Sequence, residues 1–302
     1  MPDLGPAVAG RIDGGPLHLQ HGPIDLLIEC DGTPEACGAA RRAAIGRFDD
    51  LLDGIVDELA LLRTRLEGGH LPSPKGAVAT RMVQAAAPHC GASFITPMAA
   101  VAGSVADEIG AAMSAAASLD RWMVNNGGDI AVGIGSGQSY RVGLVVDPRR
   151  AAIEAAVELG AESGIGGVAT SGRHGRSLSL GIADAVTVFA ADAAAADAAA
   201  TIIANRVDIG PHREITRRPA HELDPDSDLG DARVTLDVGV LTTDEIGRAL
   251  DNGLAYAEQC VDSGLIAGAV LYLAGSGAAT GSELFAGLGE DASLVVTGVI
   301  AS

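Results

Sequence analysis

The stretch from Gly167 to Arg206, GVATSGRHGRSLSLGIADAVTVFAADAAAADAAATIIANR, sets a Thr-Ser-Gly turn, a strand and a carboxylate-bearing helix in direct succession. The succession reads as half of a binding site. Asp192 is a good N-cap for the helix, because its short side chain accepts amide hydrogens left free in the first turn. Asp197 and Thr201 then stand four residues apart on one helical face, with Cβ atoms roughly 5–6 Å apart. Two hard oxygens so placed suit Mg²⁺, which takes oxygen ligands in near-octahedral geometry and keeps several waters. The same spacing equally suits a solvated aspartate beside a threonine bonded to the carbonyl one turn back.

Around this stretch the pattern alternates strands and helices without any internal repeat. Residues 1–16 read as a loose arm and Pro23 to Cys30 as a first strand. From about Cys37 to Glu67 the residues Ile45, Phe48, Leu51, Leu52, Ile55, Leu59 and Leu62 recur at helical spacing, which predicts one long amphipathic helix starting near Thr33. The glycines and prolines of 68–80 predict a loop, followed by a helix over 81–87. An Ala-rich helix from about Pro97 to Leu119 carries Asp107.

Met123 and Val124 enter a strand that the NNGGD turn interrupts. Ile130 to Gly133 and Tyr140 to Val146 read as a hairpin around GSGQ, ended by Asp147-Pro148. Residues 211–233 are the most polar block and predict a long loop, either solvated or, because it holds His212, His221 and several arginines, a lid over an anionic ligand. Val234 to Val240 reads as a strand, Thr243 to Ser263 as a helix and Ile266 to Leu273 as a strand. One domain over residues 1–302 accommodates these elements.

Aromatics make up only 3% of the chain against 48% hydrophobic residues, so the core is built from Ala, Val, Leu and Ile. A net charge of -19 argues against binding to the nucleic-acid backbone or to an anionic membrane surface. The longest apolar run, Leu265 to Gly275, is too short for a bilayer, which needs about 20 apolar residues in a helix. With neither a basic n-region nor an apolar h-region at its start, the chain reads as cytoplasmic, and symmetric homo-oligomers are the usual outcome there. Cys30, Cys37, Cys90 and Cys260 lack disulfide-framework spacing, neither His18 with His21 nor His89 with Cys90 has a partner pair at zinc-site spacing, and no Gly-x-Ser-x-Gly elbow joins a strand to a helix.

Three motifs then act together: V-N-N-G-G-D-I at Val124 to Ile130, T-S-G at Thr170 to Gly172, and A-D-A-A-A-T at Ala196 to Thr201. In this order and spacing they resemble the ApbE-like superfamily of FAD:protein FMN transferases, most firmly over residues 90 to 206, with flanks like a shorter branch. The resemblance implies an α+β, T-fold-related architecture of mixed or antiparallel sheets with packed helices. It also implies that Asp197 and Thr201 bind Mg²⁺ beside a flavin dinucleotide. The family's Asn-x-Gly-Gly-Asp turn falls on Asn125, Asn126, Gly127, Gly128 and Asp129, where glycines let backbone amides approach a ligand. Its second turn falls on Thr170, Ser171 and Gly172.

Two departures modify this expectation. The family's Gly-x-x-x-Lys-Gly-x-x-x-Asp segment aligns with Met98 to Asp107, keeping Gly103 and Asp107 but placing Ala102 at the lysine position. Losing that cation removes a charge-assisted contact to pyrophosphate and weighs against FAD. The long insertion ending in His-Ile-Ile-Asp-Pro is also absent, and Arg173 to Gly181 leads straight into the next strand. Arg173 and His174 are expected to line a remodelled pocket there.

The resulting expectation is a protein that keeps the fold and a pocket for a small heteroaromatic ligand but has lost FMN transfer. Its ligand would be a flavin-like or reduced-pterin molecule. The resemblance suggests a role in making or handling tetrahydromethanopterin in one-carbon metabolism, as a transferase-like or pterin-biosynthetic enzyme. The alternatives are a Mg²⁺-dependent FMN transferase and a non-catalytic scaffold or carrier subunit.

Overall fold

Alternating burial organises the first part of the molecule. In β3 (Ile24–Asp31) the side chains of Ile24, Leu26, Ile28 and Cys30 are buried while Asp25, Leu27 and Glu29 are half-buried, the period of two that sends successive residues to opposite faces of a sheet. A computed structural model describes residues 5–12, 15–68, 71–91, 93–144, 155–281 and 300–301.

The strands are β1 (Val8–Arg11), β2 (Leu17–His21), β3, β4 (Arg121–Asn126), β5 (Asp129–Ile134), β6 (Ser139–Leu144), β7 (Ala155–Gly160), β8 (Gly167–Ser171), β9 (Ala185–Ala190), β10 (Ile215–Pro219), β11 (Arg233–Val238), β12 (Gly268–Leu273), β13 (Ser276–Thr280) and β14 (Ile300–Ala301). Nine of them form one sheet in the order β1-β2-β3-β4-β5-β8-β9-β12-β13, with every neighbouring pair antiparallel. β14-β6-β7 form a small sheet and β10-β11 a two-stranded ribbon. The helices are α1 (Pro34–Phe48), α2 (Leu51–Asp57), α3 (Leu59–Leu62), α4 (Ala77–Ala86), α5 (Val101–Ala116), α6 (Ala193–Arg206) and α7 (Thr243–Asp262).

The large sheet carries different layers on its two faces. On one, Leu26, Ile28, Val124 and Ala131 pack with α1 and α5, while Ala169, Val186, Val188 and Leu271 pack with α6 and α7. On the other, Val168, Phe189 and Val270 meet Val142, Val157 and Leu159 of the small sheet. β9 is therefore buried at every residue, as a strand covered on both faces must be.

Several expectations change. The arm contains β1, paired with β2, and residues 1–4 and 13–14 lie outside the described residues. The helix begins at the expected cap, with Thr33 accepting the Ala36 amide and Pro34 at the first position, but it is cut into α1, α2 and α3. At the second cut Glu58 leaves helical geometry, and its carboxylate accepts the amides of Lys75 and Gly76 at 2.7 Å each, capping α4 where Gly76 has no side chain to do so. The helix after the first loop starts at Ala77, and the Ala-rich one ends at Ala116.

The hairpins also differ from the sequence pattern. The Gly127-Gly128 turn joins β4 to β5, whereas β6 pairs with β7 and β14 and not with β5. The strand end expected at Asp147-Pro148 lies outside the described residues. Residues 211–233 are not one loop, because Ile215–Pro219 form β10 against β11 with a register shift between Thr216 and Arg217. The Thr216-Arg217-Arg218 run of β10 gives no apolar signal to read and Pro219 argues against a strand, so only pairing with β11 reveals it. No helix among the described residues is long and apolar enough to cross a membrane.

Candidate functional site

The β4–β5 hairpin closes on the pair Asn126 and Asp129, leaving Gly127 and Gly128 as a two-residue loop with φ of 69° and 115°. Positive φ at both central positions suits the twist of a tight hairpin, and glycine adopts it without a steric cost. Asn125 Oδ1 accepts the Gly128 amide at 2.8 Å and fixes the turn from the side. The end of β8 lies next to the start of β5, so the Thr170-Ser171-Gly172 turn comes beside this loop. Both expected turns thus meet at one end of the large sheet.

The strand pleat divides the expected site residues between the two faces. Asn125 and Thr170 share the face turned away from the helices, as do Asp25 and Leu27 of β3. There they line an open pocket of about 480 Å³, together with Gly127, Gly128, Ser171, Gly172, His174, Gly175, Arg176, Asp184 and Ala185. Asn126 and Asp129 sit on the helix-facing side with Asp107, Asp197 and Thr201, none of which lines the pocket.

Asp184 organises one wall of the pocket. Its side chain is only 4% exposed, and its Oδ1 receives Arg173 Nε at 2.8 Å and His174 Nε2 at 3.1 Å, while Oδ2 accepts the Ala274 amide at 2.7 Å. A buried carboxylate is tolerated when cations and amides fill its lone pairs, as here. Arg173 is thereby committed to Asp184, and His174 alone of the two faces the cavity. Arg176 crosses the cavity mouth, donating from Nη2 to the Pro23 carbonyl at 3.2 Å. Opposite, His18 Nε2 meets Asp25 Oδ1 at 2.8 Å.

The helix-facing side is a set of carboxylates around the start of α6. Asp107 accepts the Ala193 and Ala194 amides at 3.0 and 2.9 Å, and Asp192 accepts the Ala195 amide at 2.7 Å, so both serve the first turn of α6. Asp107 is therefore placed as a helix cap and not at the pocket. Asp197 accepts the Gly103 amide at 3.0 Å, and Asn126 donates to the Ala102 carbonyl at 3.1 Å. Asp129 accepts the amide of Thr170. Burial raises the pKa of Asp107 to about 6 and that of Asp129 to about 7, the latter against the opposing pull of the Thr170 amide and the Arg176 charge. Asp197 is pushed well above its ordinary value by burial first and by the neighbouring Asp129 charge second.

This donor set suits a hard cation in kind. Asp197 and Thr201 are both half-buried one helical turn apart, and Asp129 is close enough for its charge to act on Asp197. A divalent ion between them would relieve that repulsion. Among the described residues no group of three His, Cys, Asp or Glu side chains comes together as metal ligands, so such an ion would complete its shell with water or ligand oxygens.

The lining residues that sequence reasoning did not select are Asp25, Leu27, Gly175, Arg176, Asp184 and Ala185. Asp25 lies far from every motif in sequence, and only the β3–β4 pairing brings it in. An acid directly before a largely apolar strand, as Asp184 stands before β9 with Thr187 its one polar residue, was the one available signal. His212 pairs with Glu245 at 3.1 Å and His221 with Asp231 at 3.0 Å, so neither histidine of the polar block reaches the pocket.

Fold and motifs together define the class, an ApbE-like α+β protein. A family model described as AbpE bacteria matches residues 9–280, and the chain belongs to that family. A UPF0280 protein of Methanosphaerula palustris is 39% identical over 139 residues, which are 46% of this chain and 56% of that protein. A UPF0280 protein of Methanopyrus kandleri is 36% identical over 186 residues, 60% of this chain and 69% of its own length. The match thus spans little more than half of the first relative. Among solved structures, the apo flavinyl transferase ApbE of Pseudomonas stutzeri is similar with a TM-score of 0.47 and 15% identity, covering 94% of this chain and 97% of its own. A mutant form of the flavin transferase ApbE of Vibrio cholerae has a TM-score of 0.40 and 11% identity over 65% of this chain and 85% of its own.

Proposed function

We propose that this protein binds a flat, phosphorylated heteroaromatic molecule of flavin or reduced-pterin kind in the pocket between the glycine turns, and that it does not transfer FMN. The observation that carries the reading is the pocket itself. Leu27 and Ala185 give it an apolar surface that suits a ring, while Arg176 and His174 suit a phosphate and the glycines of the Gly127-Gly128 loop let a ligand approach the backbone. Against transfer stands Ala102, whose carbonyl is taken by Asn126 and which offers no cation where the resemblance expects a lysine. Following that resemblance, the ligand's role lies in making or handling tetrahydromethanopterin.

The protein's own residues bind and orient the ligand. Asp184 holds His174 at the wall, Asn125 holds the turn, and Arg176 closes the mouth against the β2–β3 turn. Asp197 and Thr201, with Asp129 beside them, would hold Mg²⁺ on the helix-facing side, where it would supply positive charge against the repulsion between the two carboxylates. The retention of these oxygens favours a second reading, Mg²⁺-dependent FMN transfer.

Calorimetric titration with FMN, FAD and 7,8-dihydroneopterin monophosphate, with and without Mg²⁺, tests the proposal beside an FMN-transfer assay on a threonine-bearing acceptor. Micromolar binding of at least one probe without transfer is expected. A ligand at a hundred times its Kd should also stabilise the fold by about 2.7 kcal/mol. Failure of every probe to bind would remove the reading, and Mg²⁺-dependent transfer abolished by Asp197→Asn would replace it with the second.

A further inference from the structure

The pocket holds two acidic side chains in different states. Both oxygens of Asp184 are filled by Arg173, His174 and the Ala274 amide. Asp25, on the facing strand, has Oδ1 held by His18 at 2.8 Å, while its Oδ2 takes no partner among the described residues. Its side chain is 46% exposed, so the carboxylate is held in orientation and still faces the cavity. Leu27, two residues on along the same face of β3, sets an apolar surface next to it. The cation at the mouth, Arg176, forms no ion pair with Asp25, although it reaches the Pro23 carbonyl two residues away.

An acceptor-only group beside an apolar surface selects the hydrogen-bonding edge of a flat ring. A carboxylate has no proton to give at neutral pH and matches two adjacent N–H donors. The flavin pyrimidine edge offers a single N–H between two carbonyl oxygens, so a carboxylate there meets repulsion on either side. A 2-amino-4-oxopyrimidine edge offers an amino N–H and a ring N–H side by side, as guanine and pterins do. Resting on the binding reading above, we infer that Asp25 is the specificity-determining residue of the pocket and selects rings with a 2-amino-4-oxopyrimidine edge over flavins. The phosphate of such a ligand lies toward Arg176 and His174. Sites built to pair with polar hydrogens reject analogues that lack them far more strongly than apolar pockets reject a size change.

The test uses the full chain and four probes: 7,8-dihydroneopterin monophosphate, GMP, IMP and FMN. IMP is GMP without the 2-amino group and therefore isolates that edge. The expected result is that the dihydroneopterin phosphate and GMP bind at least tenfold more tightly than IMP and FMN. Asp25→Asn should cut that preference tenfold while leaving IMP affinity within about twofold, since its amide turns one acceptor into a donor. Circular dichroism and the melting temperature of Asp25→Asn should match wild type, because the side chain is partly exposed on β3. Tighter binding of FMN than of the pterin, or a uniform effect of Asp25→Asn on all four, would overturn the assignment while leaving a ligand pocket in place. Binding of none of the four would overturn both.

Discussion

The two faces of the large sheet divide the work of this molecule. On the helix side, carboxylates are spent on backbone amides: Asp107 and Asp192 on α6, Asp197 on the start of α5 and Asp129 on β8. On the open side, polar groups hold one another and leave a cavity, with Asp184 binding Arg173 and His174, and His18 binding Asp25. Residues adjacent in a motif thus serve different ends, as Asn125 and Asn126 do from opposite sides of one strand. A motif in a strand is two half-motifs, one for each face.

The largest effect is expected from Asp184→Ala, which strands Arg173 without its carboxylate. Breaking such a buried pair costs about 3–5 kcal/mol, so urea unfolding should show that loss and calorimetry should show no ligand binding in the folded fraction. Retained binding would detach the pocket wall from Asp184. Gly103→Ala attacks the other face, since a Cβ there would stand 2.2 Å from the Ala193 carbonyl oxygen. Overpacking of this kind costs about 3 kcal/mol, read in the same denaturant experiment.

Asp107→Ala removes the acceptor for two amides of α6 and should cost about 1–2 kcal/mol, with ligand affinity of the folded protein unchanged. A fall in affinity would show that the faces are coupled. The smallest effect concerns pH. Burial raises Asp107 from 3.8 to about 6, so the folded state holds this proton more tightly than the unfolded state, and its contribution to stability declines as pH rises from about 4 through 6. Melting temperatures of Asp107→Asn and wild type across that window should therefore move in favour of the variant as pH rises. A constant difference would mean that Asp107 titrates normally.

The sequence made the class and the placement of the turns legible, because Asn-x-Gly-Gly-Asp and Thr-Ser-Gly need glycine for backbone reasons that survive without knowledge of the fold. The start of α1 at Thr33 was legible from its capping side chain, and α7 was legible to within one residue at its end. The division of the site was not. It depends on which face of β4 and β5 meets α5, a long-range fact that nearest-neighbour pattern does not hold. Asp25 stayed hidden because a half-exposed acid on an alternating strand looks like any solvated residue until β4 is laid beside it. β10 stayed hidden because its arginines pair for structure, Arg217 with Asp208 and Thr235, in a block whose polarity suggests solvent.

Around α6 the walls of the core are main chain. A Cβ on Gly167 would fall 2.2 Å from the Ala193 nitrogen, and one on Gly181 would fall 2.1 Å from the Ala204 oxygen. Side-chain walls yield by changing rotamer, whereas backbone walls yield only if a helix moves. Substitutions that alter this molecule while preserving its shape must therefore accumulate on the open face. The open face can change one residue at a time, above main-chain contacts around α6 that leave no room for a Cβ at Gly103, Gly167 or Gly181.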